Sequence, residues 1–94
     1  MNRNKSAEIG RSLRELASVF AGVRRPKEMQ RLFEEIFTPP ERRDFALRWR
    51  LLQQLNQNKP QRAIAAGLGV SLCKITRGAK VLKKRNSLIK RILD

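Results

Sequence analysis

The sequence contains no histidine and no tyrosine, a single cysteine (Cys73) and a single tryptophan (Trp49). Without histidine there is no imidazole to move protons, and one thiol alone makes neither an intramolecular disulfide nor a typical zinc site. There is no glycine-rich phosphate loop and no cluster of carboxylates, so the residue set points away from an enzyme. Stacking aromatics are too few for the usual readers of unpaired RNA bases. No apolar run approaches the ~18 residues of a spanning helix, and the opening MNRNKSAEIGRS has no signal-peptide apolar region. These absences predict a soluble, cytoplasmic protein.

Acidic residues are also scarce. Eight Asp and Glu face 22 Lys and Arg, for a net charge of +14 in 94 residues. Such an excess calls for a polyanionic partner, with nucleic acid first and a membrane surface second. The imbalance is uneven. From Lys59 onward the only acid is Asp94, against ten basic residues, whereas the first half mixes both signs. The length suggests one domain, 1–94, with a core thin enough to favour oligomerisation. Residues 1–57 read as its body, 60–84 as a basic reading head and 85–94 as a C-terminal helix.

The apolar pattern predicts an all-α fold, with no alternating run that marks a strand. A first helix is expected from about Ser6, as its cap, to Ala21, with Ile9, Leu13, Leu16, Ala17 and Phe20 at helical spacing. Pro26 opens a second, whose apolar face is Met29, Leu32, Phe33, Ile36 and Phe37. Thr38-Pro39-Pro40-Glu41 has the form of a capping box for a third helix, running to about Gln57, with Phe45, Trp49, Leu52 and Leu55 along one side. A fourth helix covers Gln61 to about Ala66, and a fifth Leu72 to about Lys84. Ser87 caps a last turn containing Leu88, Ile89, Ile92 and Leu93.

The fourth and fifth helices have the requirements of a helix-turn-helix. Ile64 and Ala65 supply the apolar and small residues of the helix contact. Gly69 supplies positive φ in the turn, Val70 plugs the corner and Ser71 caps the second helix. Ile75, Ala79 and Leu82 point to the core. Leu72, Cys73, Thr76 and Lys80 then face away and approach DNA, with Lys74 at the edge near a phosphate. Arg62, beside Gln61 at the start of the motif, suits either a bidentate contact to guanine or a phosphate. Thr76 suits a phosphate or a thymine methyl. A three-helix corner with a solvated basic face satisfies the same pattern without binding DNA.

Gly78 is the irregularity, because it stands where the second helix would otherwise bury a side chain. The run Lys74-Ile75-Thr76-Arg77-Gly78, with Gln61-Arg62, Thr38-Pro39-Pro40-Glu41-Arg42 and Arg48-Trp49-Arg50, resembles the tryptophan repressor family over roughly residues 32–83. The resemblance implies an intertwined homodimer whose N-terminal helices form one core, a pseudo-palindromic DNA operator, and L-tryptophan as corepressor. It also implies a ligand pocket shared between subunits and built from Phe37, Thr38, Arg48, Arg77, Gly78 and the position of Val81. There Gly78 leaves room for a flat ring, and Arg48 and Arg77 lie over its two faces. Two positions depart from the family pattern. Val81 stands where a serine is frequent near the ligand amino group, and Glu35 where the pocket wall is usually apolar. Val81 cannot hydrogen-bond an ammonium, whereas an inward-pointing Glu35 could. The alternatives are a regulator of the same fold with another effector or none, and a nonspecific basic DNA-coating protein.

Overall fold

The computed structural model describes residues 3–94, with side chains from Lys5 onward, and is all-helical over them. The chain divides into two compact units, Met1–Thr38 and Pro39–Asp94. The first holds α1 (Arg3–Gly22) and α2 (Pro26–Ile36). The second holds α3 (Pro39–Asn56), α4 (Gln61–Leu68), α5 (Leu72–Lys83) and α6 (Leu88–Leu93).

In the first unit Ser6 lies inside α1, which begins three residues before the expected cap. Pro26 occupies the first turn of α2 as expected, where its missing N–H leaves no bond unmade. The unit is joined by a short aromatic stack. Phe20 of α1 and Phe33 of α2 have ring centroids 6.0 Å apart, and Phe33 and Phe37 are also 6.0 Å apart. None of its described residues is fully buried. Ile9, Leu13, Leu16 and Val19 remain exposed along α1, Leu13 at 61%.

The second unit carries the core. Leu51 and Leu52 of α3, Ile64 of α4 and Ile75 of α5 are buried, and Leu55, Ala65, Leu68, Val70, Leu82, Ile89 and Leu93 pack around them. Phe45 and Trp49, expected on the same side of α3 as Leu52 and Leu55, are instead exposed, Trp49 at 41%. Leu51, one position before Leu52, takes the inner place. Apolar residues surround most of α3, and its contact with α5 selects which of them turn inward.

Helix ends follow local chemistry. α3 stops where Asn58 takes φ 62°, with its N–H donating to Leu55 O and that of Lys59 to Gln54 O, the paired bonds of a Schellman cap. α4 runs two residues beyond the expected end, to Leu68, and Gly69 closes it at φ 66°. Ser71 and Ser87 accept the N–H of Lys74 and Lys90 and cap α5 and α6 as expected. α6 is fastened to the end of α3 by two polar bonds through Asn56, and a third, within α6, completes the triangle. Lys90 Nζ donates to Asn56 Oδ1 at 2.7 Å and to Asp94 Oδ1 at 3.0 Å, and Asn56 Nδ2 donates to Asp94 Oδ1 at 3.1 Å. The Asn56 bond, then that of Lys90, holds the Asp94 carboxyl below its ordinary value.

Candidate nucleic-acid interface and effector cleft

α4, the turn at Gly69-Val70 and α5 follow one another and pack together within the second unit, in the order expected of a helix-turn-helix. Ile64 and Ile75, at 1% and 0% exposure, lock the two helices together. Burial of Ile75 and Gly78 fixes which side of α5 faces inward. Every residue proposed to meet DNA is exposed: Gln61, Arg62, Ser71, Leu72, Cys73, Lys74, Thr76 and Lys80.

Two hydroxyls on this surface are already half committed. Ser71 Oγ accepts the Lys74 N–H at 3.3 Å, so its own proton stays available to a phosphate oxygen. Thr76 Oγ1 donates to Leu72 O at 2.9 Å. Its proton is spent within the helix, so in this rotamer Thr76 offers DNA lone pairs and a methyl group rather than a donor. That favours the thymine-methyl role over the phosphate role.

The inner side of α5 borders a cleft of about 260 Å³ against α3. Asp44, Leu47, Arg48, Leu51 and Leu52 line it from α3, Val70 from the turn, and Lys74, Arg77, Gly78 and Val81 from α5. Four residues of the expected pocket, Arg48, Arg77, Gly78 and Val81, therefore converge on one space. Phe37 and Thr38 belong to the first unit. Glu35 also belongs there, exposed, with its carboxylate on Arg31 Nε at 3.3 Å.

Gly78 has a second duty. A Cβ built on it would lie 2.5 Å from Leu51 Cδ2, 3.2 Å from Leu55 Cδ1 and 3.5 Å from Leu52 Cδ2. The missing side chain is what lets α5 close onto the leucines of α3. It borders the cleft and also sets how near the two helices lie.

Six lining residues lie outside the expected pocket: Leu52, Val70 and Lys74, expected in other roles; Leu47 and Leu51, which add to its apolar wall; and Asp44, its only carboxylate. Asp44 and Arg48 are four apart on α3, a spacing that places two side chains on one helix face. That spacing was the available sequence clue. Among the described residues no group of three or more His, Cys, Asp or Glu could hold a metal ion, and no helix is long and apolar enough to cross a membrane.

Comparison with known proteins places the chain in a family. The chain is 43% identical over 60 residues to a Trp operon repressor homolog of Xylella fastidiosa (strain 9a5c), a stretch covering 63% of this chain and 65% of that relative. It is 35% identical over 73 residues to a Trp operon repressor homolog of Chlamydia trachomatis serovar D, covering 77% of this chain and 78% of that protein. No solved structure gives a significant match. The family model described as Trp repressor protein matches residues 9–94, a span that includes α2 through α6, the whole helical corner and every residue of the cleft. The family is one of transcription regulators rather than enzymes, and this chain belongs to it.

Proposed function

We propose that the protein is a homodimeric transcriptional repressor that occupies a pseudo-palindromic DNA operator with L-tryptophan as corepressor. One observation carries the reading: α5 has two working sides. Leu72, Cys73, Thr76 and Lys80 are exposed on it, and Lys74, Arg77, Gly78 and Val81 border the cleft against Arg48. A ligand held in the cleft therefore sets the pose of the same helix that enters the major groove. Arg48 and Arg77 would sandwich the indole and Arg48 would bind the carboxylate, with Phe37 and Thr38 contributed as part of a pocket shared between subunits.

The dimer reading rests on the exposed apolar stripe of α1 and on the thin first unit, which a second copy would cover. In it residues 1–57 form the dimerisation body, 60–84 the reading head and 85–94 a C-terminal helix. The protein would act in the cytoplasm. Two recognition helices related by a two-fold axis predict half-sites about one DNA turn apart.

The test begins with a duplex enriched by the protein from a random library in the presence of L-tryptophan. The proposal expects a palindromic consensus, preferred over scrambled duplex by ~10³-fold or more, and affinity that falls steeply with salt. A nonspecific coating protein, which the +14 charge also supports, would enrich no consensus. Equal affinity for all duplexes would decide for that second reading.

A further inference from the structure

We infer that Asp44 is the residue through which the cleft selects an effector bearing an ammonium group. The inference rests on the effector reading above and adds the group that recognises one end of the ligand. An α-amino acid brings a carboxylate and an ammonium on the same carbon, so a site for it needs both charges close together. The cleft supplies cations in Arg48, Lys74 and Arg77, an apolar wall in Leu47, Leu51, Leu52, Val70 and Val81, and one anion, Asp44.

Backbone carbonyls near Thr38, which the family resemblance implies for the ammonium, carry no charge, and among the side chains Asp44 is the best suited. Val81 has no polar side-chain atom. Glu35 is already engaged by Arg31 on its own helix, at 3.3 Å. Asp44 takes part in no hydrogen bond or ion pair among the described residues. It stands four residues before Arg48 on α3, so a ligand carboxylate on Arg48 would bring the neighbouring ammonium within one helical turn of the Asp44 carboxylate. A charge-assisted bond of that kind is stronger than a neutral one. A ligand with the same ring and carboxylate but no amine would leave Asp44 facing the cleft without a partner.

Asp44 has a plainer possible role, which is to hold the Arg48 guanidinium in place. The two roles separate by ligand. Positioning Arg48 serves any carboxylate, whereas ammonium recognition serves only the amine.

The experiment is calorimetric titration of the full chain and its Asp44→Asn variant with L-tryptophan and with indole-3-propionate, which keeps the indole and carboxylate and lacks the amine. Circular dichroism checks the variant's fold; Asp44 is exposed and lies beyond the first turn of α3, so the fold should stand. The expected result is a fall of about tenfold in the ratio of L-tryptophan to indole-3-propionate affinity, the size of one charge-assisted hydrogen bond, and it should come from L-tryptophan alone. An unchanged ratio, or an equal loss for both ligands, overturns the role of Asp44 and leaves the effector reading intact. If the unaltered chain takes up neither ligand, the effector reading fails and the inference falls with it.

Discussion

The two units of the chain solve the folding problem differently. Pro39–Asp94 buries Leu51, Leu52, Ile64 and Ile75 among its own helices, whereas Met1–Thr38 leaves Ile9, Leu13, Leu16 and Val19 of α1 exposed. The first unit has a fully formed amphipathic helix and too little of its own to cover it. Helices within proteins draw most of their stability from packing an apolar face. The second unit thus has a buried core of its own, and the first leaves its apolar stripe uncovered within one chain. All the proposed DNA contacts and the cleft lining lie in the second unit, whereas Phe37 and Thr38 of the proposed pocket lie in the first.

The largest expected effect breaks this contrast from the second unit's side. Ile75→Ala should cost ~2–5 kcal/mol, because it empties a fully enclosed site. Chemical denaturation should register that loss at every protein concentration. Leu13→Gln in α1 should behave otherwise. Little is lost within one chain, so its destabilisation should appear in the concentration dependence of thermal melting and in sedimentation as a shift toward monomer. A concentration-independent loss in Leu13→Gln would remove the argument that a second copy covers α1.

Next in size are Arg48→Ala and Arg77→Ala. Both side chains are exposed and line the cleft, so each variant should fold as before and lose its calorimetric response to L-tryptophan. Normal titrations of both would reject the pocket assignment. Gly78→Ala should do something smaller and of another kind. The added Cβ crowds Leu51, an overpacking cost of ~1–3 kcal/mol, against a gain of about 1 kcal/mol in helix propensity. A net destabilisation of about 1 kcal/mol in urea is expected, together with weaker effector binding as the cleft reshapes.

Local chemistry was legible in the sequence wherever one residue decides one geometry. Pro26 and Pro39 begin helices, Gly69 turns, and Ser71 and Ser87 cap, all as their side chains require. The start of α1 was not, because a cap such as Ser6 is also tolerated inside a first turn. The inward side of α3 was not either. Phe45, Leu47, Trp49, Leu51, Leu52 and Leu55 give it apolar residues on most sides, and only the position of α5 decides between Leu51 and Trp49. Asp44 escaped notice for a related reason. An acid beside arginines on a helix reads as a local charge pair until a second helix encloses the space in front of it.

The smallest effect concerns the end of the chain. The Asp94 carboxyl is held below 3.8 by Asn56 and then Lys90. A lowered folded value means that its contribution is present above the unfolded value and is lost as pH falls through the folded one. Asp94→Asn should therefore loosen α6 slightly at neutral pH and leave the acid limb below about pH 4 almost unchanged. Amide exchange in α6 at the two pH values would show this.

The central claim is that one helix carries the DNA surface on one side and the effector cleft on the other. Its most direct test is the affinity of the enriched palindromic duplex, carrying an extrinsic dye, measured at fixed salt with and without saturating L-tryptophan. The account predicts tightening of about tenfold or more, within the usual range of coupling between two sites, with scrambled duplex unchanged and the same factor recovered when L-tryptophan is titrated into the preformed complex. Equal duplex affinity with and without L-tryptophan, in a protein that binds both, would contradict it.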